Sequence, residues 1–267
     1  MRLVKSVIIF SFLTLLIVSC KGYNHVVKSD DYQKKYELAE ELYTKKQFTR
    51  SIALYEQIYQ KFPKTGEGEL AYYRIGKGYF FEKDYYMAGY YLGAFSQRFP
   101  YSPKCEETLF LSSMCSVSNS PQYSLDQNDT ELAINSLQQF IDKYPNSTLV
   151  DSCNHVMDRL RLKLQLKDYE SVKLYSKTEN YRAAVTTSET FLSDYPMSDN
   201  REEIYFLLVE NSYFLTKNSI ESKKKERIDE TIKRYRNFVL EFPDSKYKKR
   251  LNTISDEMQK LKEVYKS

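Results

Sequence analysis

The feature that most constrains this chain is a four-residue junction, aromatic-Pro-x-Ser/Thr, which occurs five times with its prolines 37 to 51 residues apart. The five prolines are Pro63, Pro100, Pro145, Pro196 and Pro243. Aligned on the proline, position −12 is small in every copy: Ser51, Ala88, Ala133, Ala184 and Thr231. Position −5 is large and apolar: Ile58, Phe95, Phe140, Phe191 and Phe238. Because proline disfavours α geometry at the preceding residue, each junction ends a helix, and the recurring columns predict an array of helical repeats.

The second copy shows how each repeat is built. Its apolar and small residues recur at three- and four-residue spacing on both sides of a break at Lys83, which predicts two helices joined by a short turn. Gly76 and Ala88 are the small positions at which these helices are expected to approach closely. After the junction, Ser102 is expected to cap the following helix, with Pro103 at its first helical position.

This pattern resembles the tetratricopeptide repeat, whose signature includes W-x2-L-G-x2-Y, A-x3-F and P. The matching residues of the second copy are Tyr72, Ile75, Gly76, Tyr79, Ala88, Leu92 and Pro100. The chain departs from the family in having no tryptophan and in repeats longer than the family's unit. The resemblance implies an all-α fold: a right-handed α-solenoid of about five tetratricopeptide-like helical hairpins over residues 32–267, with a C-terminal capping helix.

Breaks in the pattern predict the individual elements. A helical hairpin is expected over residues 32–62, with its break at 45–47, and a second over 65–99. The third contains a polar loop at 116–128. Residues 147–180 hold no strong breaker, so they are expected to form one long or kinked helix, or two abutting helices. Helix 181–195 completes the fourth repeat, the fifth breaks at 216–222, and a terminal helix covers the open end from residue 245.

The N-terminus reads as a targeting segment. Residues 1–19 combine an early positive charge with an apolar run, Val7–Val18, that is too short to span a bilayer comfortably as a permanent helix. The run ends at Ile17-Val18-Ser19-Cys20, which resembles a bacterial lipobox and implies a covalent lipid on Cys20 as the only attached group. An uncleaved anchor or an ordinary secretion signal is the alternative. Residues 20–31 are polar and are expected to form a lipidated, flexible tether.

Sorting of the predicted lipoprotein depends on the residues after Cys20. Neither an aspartate, which resembles an inner-membrane retention signal, nor an acidic run, which resembles a surface-export signal, follows it. The resemblance therefore implies an outer-membrane, lipid-anchored protein that faces the periplasm. Nucleic acid is not an expected partner in that compartment.

Charge is unevenly distributed along the chain. The formal net charge is +4, but residues 217–267 alone carry 15 basic and 9 acidic side chains. A solvated helical surface explains such a segment, and so does a basic end that meets an acidic partner or anionic lipid headgroups. The candidate docking residues are Lys223, Lys224, Lys225, Arg227, Arg234 and Arg236.

Cysteines and histidines give no sign of catalysis. Cys105 and Cys115 lie on one predicted helix, about 15 Å apart along its axis, too far for a disulfide. Cys153 could meet either of them, although buried free thiols are the simpler expectation. No cysteine pair has metal-ligand spacing, and His25 and His155 complete no catalytic set. The sequence therefore predicts a protein that is not an enzyme.

Lipobox, repeats and terminal helix together resemble the BamD family of outer-membrane assembly lipoproteins. The resemblance implies a scaffold that binds the barrel-forming component BamA, through the C-terminal half of the chain, and unfolded outer-membrane β-barrel clients. A periplasmic repeat lipoprotein that organises cell-wall or division machinery is the alternative.

Client recognition is predicted in the first two repeats. In tetratricopeptide arrays the first helix of each hairpin lines the concave surface. On the matching positions here lie the groove candidates Tyr36, Glu40, Tyr43, Tyr73, Lys77 and Phe80. An aromatic groove with a lysine suits an extended segment that is rich in aromatic residues and ends in a carboxylate. The alternative is that these aromatic residues pack against neighbouring helices.

Overall fold

A computed structural model describes residues 22–265, and within that range all regular structure is α-helical, which confirms the predicted all-α class. Eleven helices follow one another from residue 32 onward in the described part of the chain. They are α1 Tyr32–Thr44, α2 Phe48–Lys61, α3 Gly66–Phe81, α4 Tyr85–Arg98, α5 Cys105–Asn119, α6 Asn128–Lys143, α7 Val150–Lys177, α8 Tyr181–Asp194, α9 Arg201–Lys217, α10 Glu221–Glu241 and α11 Lys248–Val264.

The helices form two compact units, with the boundary inside α7. In the first unit, each helix from α1 to α5 packs on the next one along the chain, so that the series ends at α6. In the second unit, α8, α9 and α10 do the same, and α11 packs on both α10 and α9. Each unit is therefore built from successive antiparallel helical hairpins, as the repeat pattern predicted.

The two repeat columns form the centre of these hairpins. All five residues at position −12 and all five at position −5 are at most 1% exposed. Gly76 permits the close approach expected of it, since a Cβ there would lie 2.9 Å from Leu92 Cγ. Ala88 is fully buried beside Leu92 and Cys115. Periodicity in the sequence thus identified the core correctly.

The hydroxyl of the junction plays a different part from the one expected. Only Thr65 acts as a simple cap, with its Oγ1 accepting a hydrogen bond from Gly68 N at 3.2 Å. After Ser102 the helix begins three residues later, at Cys105, so the predictions that Ser102 is the N-cap and Pro103 the first helical residue are wrong. Ser102 Oγ instead donates to Glu69 Oε1 at 2.7 Å and accepts from Lys104 N at 3.2 Å, which closes a turn.

The same link recurs after the third repeat, where Ser147 Oγ donates to Glu106 Oε1 at 2.6 Å. After the fourth repeat, Ser198 Oγ accepts from Gln165 Nε2 at 2.6 Å. In each case the junction is fastened to the first helix of the preceding hairpin. At these three junctions the hydroxyl therefore joins one repeat to the next rather than capping a helix.

Apart from the later helix starts after the junction serines, the helix boundaries agree with expectation except at one loop. The polar loop predicted at 116–128 is shorter, because α5 continues to Asn119 and α6 starts at Asn128. Of the alternatives for residues 147–180, the single long helix is correct, since α7 is continuous over 28 residues. The terminal helix buries Leu251, Ile254 and Met258 against α9 and α10, so it covers the end of the second unit.

The segment before α1 differs from the flexible tether that its polar composition suggested. Residues 22–28 are helical, and Tyr23, Val26 and Val27 pack against the core of the first hairpin. Tyr23 OH donates to Arg50 O at 3.0 Å. The three- and four-residue spacing of these apolar side chains gives the segment one face to bury. The predicted signal peptide and Cys20 lie outside the described residues, and no helix from residue 22 to 265 is both long and apolar enough to cross a bilayer.

Candidate protein-binding site

An arginine of α3 contacts two of the three predicted groove residues of α1, Glu40 and Tyr43. Arg74 Nη2 donates to Glu40 Oε2 at 3.2 Å, and its guanidinium carbon lies 4.3 Å from the Tyr43 ring centre. Glu40 Oε1 also accepts from Tyr55 OH at 2.5 Å. Burial, reinforced by this hydrogen bond to a carboxylate, raises the pKa of Tyr55, so the phenol stays protonated as a donor. Glu40 and Tyr43 therefore stabilise the contact between the first helices of two hairpins.

Two of the predicted groove residues of α3, Tyr73 and Lys77, also form hydrogen bonds within the protein. Tyr73 is only 8% exposed, and its hydroxyl donates to Glu107 Oε2 at 2.8 Å. Lys77 Nζ donates to Glu107 Oε1 at 2.9 Å and to Tyr73 OH at 3.0 Å. Burial opposes the charge of Lys77, but the hydrogen bonds to Tyr73 and Glu107 outweigh it and raise the pKa of Lys77. Tyr73 and Lys77 thus hold α3 to α5, and the lysine charge already faces a carboxylate.

Phe80 lies apart from these contacts. Its ring packs beside Tyr85 at 5.8 Å and against the buried cluster of Ala88, Leu92 and Cys115. Its neighbour Phe81 is the aromatic residue that lies beside the other groove candidates, with its ring centre 6.4 Å from that of Tyr43 and 5.9 Å from Lys77 Nζ. Sequence register placed the groove one residue too early at this point.

Tyr36 is the predicted residue that lines an open groove. This groove, of about 540 Å³, lies where α1 meets the turn between α2 and α3. Its walls are Tyr32, Gln33, Tyr36, Ile58, Phe62, Thr65 and Glu67. The rings of Tyr32 and Phe62 meet edge to face at 5.3 Å. Lys61 Nζ lies 5.9 Å from the Tyr32 ring, so a cation flanks the aromatic wall. We call these residues the Tyr36 groove.

A Tyr-x3-Lys pair with a distant glutamate recurs in the first helices of three hairpins. The sets are Tyr73, Lys77 and Glu107; Tyr169, Lys173 and Glu203; and Tyr213, Lys217 and Glu257. In each, the tyrosine hydroxyl donates to the glutamate at 2.6 to 2.9 Å, and the lysine Nζ lies 4.6 to 5.1 Å from the ring. Sequence reasoning missed these sets, although the repeated Tyr-x3-Lys spacing was a usable signal.

Glu107 gives the network a pH dependence. Burial acts to raise the pKa of Glu107, but the hydrogen bonds from Lys77 and Tyr73 prevail and lower it below its usual 4.5. A carboxylate with a depressed folded-state pKa stabilises the fold fully above its unfolded-state pKa, and this contribution is lost as the pH falls through the folded value.

We therefore expect Glu107→Gln to lower the free energy of unfolding at pH 7 by less than about 1 kcal/mol, because solvent screens the half-exposed pair. The loss should shrink as the pH falls below 4.5. Urea unfolding between pH 7 and pH 3 measures it, with the exposed Glu131→Gln as the control. A constant difference between wild type and Glu107→Gln at all pH values would contradict the assigned role.

The basic end in the second unit is largely paired internally. Lys223 contacts Glu226 at 3.0 Å and Lys224 contacts Glu221 at 2.7 Å. Arg234 Nη2 contacts Glu189 at 2.7 Å, and Arg227 donates to Ser219 Oγ. Of the six docking candidates, Lys225 and Arg236 are exposed and have no ion-pair partner among the described residues, as is also true of Lys233 between them on α10. These three side chains are the cations of α10 that have no ion-pair or hydrogen-bond partner among the described residues, and we call them the free part of the basic end.

The three cysteines of the described region are buried free thiols, in agreement with the simpler expectation. Burial raises the pKa of Cys115 to about 12 and also raises that of Cys153. Protonated thiols of this kind are poor nucleophiles. Within residues 22–265, no group of histidine, cysteine, aspartate or glutamate side chains could hold a metal ion.

Stacked hairpins whose first helices present aromatic and charged side chains define a helical-repeat scaffold. The family model YfiO, an outer membrane lipoprotein, matches residues 28–187 and 169–265. The chain belongs to this family of outer membrane lipoproteins.

Among solved structures, the chain is similar to a kinesin light chain of Podosopora anserina with nearly identical TPR-like repeats. The identity is 12%, the match covers 80% of this chain and 96% of that one, and the TM-score is 0.33. None of the curated proteins matches the chain.

Proposed function

We propose that this protein is a scaffold of the β-barrel assembly machinery, anchored to the outer membrane by a lipid on Cys20 and facing the periplasm. There it binds a BamA-like barrel component and unfolded outer-membrane β-barrel proteins. Membership of the outer membrane lipoprotein family, over nearly the whole length after the lipobox, is the observation that carries this proposal. Signal cleavage after residue 19 and lipid attachment are parts of the same proposal.

The Tyr36 groove is the surface that we assign to clients. Tyr32, Tyr36 and Phe62 form an apolar aromatic wall that offers contact area at low entropic cost. Lys61 is exposed and has no ion-pair partner among the described residues, so it is free to meet a terminal carboxylate. This assignment transfers the role first given to Lys77, whose charge already faces Glu107.

A peptide from the last strand of a client should bind the Tyr36→Ala variant about tenfold more weakly than wild type, which corresponds to about 1.4 kcal/mol. Lys61→Glu should mainly slow association and reduce its salt dependence, since rim charges act on the on-rate. Fluorescence titration measures both variants. Tyr86→Ala is the matched control, because Tyr86 is an exposed tyrosine on the second helix of its hairpin. Equal affinity of wild type and Tyr36→Ala, with folding intact, would place client binding elsewhere.

The free part of the basic end is the surface that we assign to the BamA-like component. Lys225, Lys233 and Arg236 lie along one side of α10, unpaired within the described chain. Reversing all three to glutamate should reduce association at low salt and flatten its salt dependence. Reversal of the exposed Lys64, Lys143 and Lys177 changes the net charge equally and is the control.

Co-purification from detergent-solubilised membranes tests the proposal as a whole. A BamA-like component should be recovered with the wild-type protein and lost with the triple reversal. Recovery of peptidoglycan synthases or muropeptides in its place would overturn the proposal in favour of a scaffold for cell-wall or division machinery.

A further inference from the structure

The proposed lipid anchor at Cys20 is so close to the first hairpin that it restricts how this hairpin can be oriented on the membrane. Only Lys21 separates Cys20 from Gly22, where the described structure begins. An extended chain spans at most about 3.6 Å per residue, so the lipidated cysteine lies within about 7 Å of Gly22. Residues 22–28 form a helix that is packed on the first hairpin. Whatever surface surrounds the start of this helix must therefore lie at the bilayer.

The contacts of Tyr23 show which end of the first hairpin lies next to the start of this helix. Its ring centre lies 4.2 Å from the guanidinium carbon of Arg50, and its hydroxyl donates to Arg50 O at 3.0 Å. Arg50 is in the first turn of α2, directly after the turn that joins α1 to α2. The opposite end of α2, next to Lys64, is about 17 Å from Arg50 along the helix axis. The anchor therefore lies at the α1–α2 turn.

The α3–α4 turn belongs to the same surface. Thr49 N and Oγ1 both donate to Glu82 Oε1, at 3.3 and 3.1 Å. The rings of Phe48 and Phe81 stack at 5.0 Å, and Phe81 is 47% exposed. We call the two turns, residues 45–50 and 81–84, the turn surface.

Two lysines of the turn surface are free to bind anions. Its charged side chains, with the adjoining Glu41, are Glu41, Lys45, Lys46, Arg50, Glu82, Lys83 and Asp84. Lys45 pairs with Glu41 at 2.5 Å, and Asp84 caps α4. Lys46 and Lys83 are exposed and have no ion-pair partner among the described residues. Both adopt positive φ, 58° and 63°, as Glu179 does in the turn between α7 and α8, so this conformation belongs to the hairpin turns themselves.

From this geometry we infer that the turn surface rests on the bilayer, with Lys46 and Lys83 against anionic lipid headgroups and Phe81 at the same interface. The inference rests on the proposed lipid anchor at Cys20. It gives helices α1 to α4 a fixed orientation, in which the α1–α2 and α3–α4 turns contact the membrane. The turn at Lys64, between α2 and α3, lies on the side away from the membrane. The Tyr36 groove, which includes Thr65, then opens at the far end of the first hairpin.

Headgroup quenching in reconstituted vesicles tests the orientation. The lipidated full-length chain carries a fluorophore on Lys45→Cys or, as the matched control, on Lys64→Cys, and the native cysteines are buried. The vesicles contain phosphatidylethanolamine, phosphatidylglycerol and a lipid with a nitroxide on its headgroup. We expect strong quenching at position 45 and weak quenching at position 64. Equal quenching at both positions, or stronger quenching at 64, would overturn the inference.

Charge reversal tests the lysines separately from the anchor. For the unlipidated Cys20→Ala chain, Lys46→Glu with Lys83→Glu should weaken binding to the anionic vesicles by about tenfold or more, because each lysine near such a surface adds about fivefold. The control pair Lys143→Glu with Lys177→Glu should leave binding unchanged. Equal losses for the two pairs would contradict the headgroup contact.

The two proposals fail in different ways. If wild type floats with vesicles no better than Cys20→Ala does, the lipid anchor itself is wrong. If wild type floats and the label at 45 is not preferentially quenched, the anchor holds and only the orientation is wrong.

Discussion

Replacing Gly68 with alanine should lower the free energy of unfolding by about 3 kcal/mol or more, at the upper end of the cost of overpacking. A Cβ at this position would lie 1.9 Å from the carbonyl oxygen of Phe62 and 3.2 Å from Pro63 Cα. Both contacts are with backbone, so no side chain can rotate away to relieve them. Gly68 N also donates to Thr65 Oγ1 at 3.2 Å, and the shift that relieves the clash would break this cap.

Gly66 supplies the control in the same turn of α3. Nothing lies within 4 Å of a Cβ built there, so Gly66→Ala should leave stability unchanged or raise it by up to about 1 kcal/mol through helix propensity. Urea unfolding followed by circular dichroism compares the two variants. Equal stability of Gly66→Ala and Gly68→Ala would mean that the junction and α3 are not packed as described.

Phe95→Ala should cost about 3–5 kcal/mol, as is usual for a large aromatic residue removed from a core. Phe95 is fully buried, and its ring lies 6.4 Å from Tyr72, 6.1 Å from Tyr73 and 5.2 Å from Phe99. Phe238 occupies the same column in the second unit and is also fully buried, so Phe238→Ala should cost a similar amount.

The control for this pair is Tyr101→Ala, six residues after Phe95. Tyr101 is 99% exposed, so the substitution should change stability by no more than about 0.5 kcal/mol. Thermal and urea unfolding of the three variants measure the effects. A loss for Tyr101→Ala as large as that for Phe95→Ala would show that the repeat columns do not define the core.

The core of this protein could be predicted from its sequence because the residues that a packed helix buries recur at regular three- and four-residue spacing. Ala88 and Phe95 are seven residues apart and therefore face the same side of α4, and the proline at the junction ends the helix by a clash with its own neighbour. Such rules act within a few residues, so periodicity alone is enough to assign all ten residues of the two columns to the core, where each of them is buried.

The groove could be predicted only in part, because its chemistry depends on residues far apart in sequence. Lys77 was expected to bind a client carboxylate, but it donates a hydrogen bond to Glu107, thirty residues later, across the α3–α5 contact. Phe81, and not the predicted Phe80, lies beside Tyr43, because successive side chains of an α-helix point about 100° apart. Tyr36 lines a groove whose other wall, Phe62, lies at the end of a different helix, and its role in client binding stays a prediction.

Sequence by itself therefore determined the helices, their order and the residues at their centre, because these follow from local backbone preferences and periodic burial. Tertiary structure alone decided which charges are free, what the junction hydroxyls bind and where residues 22–28 lie. Ser102 was a plausible helix cap until the fold placed Glu69 within 2.7 Å of its hydroxyl. Lys46 and Lys83 stay unpaired for the complementary reason: among the described residues, the fold brings no carboxylate into an ion pair with either of them.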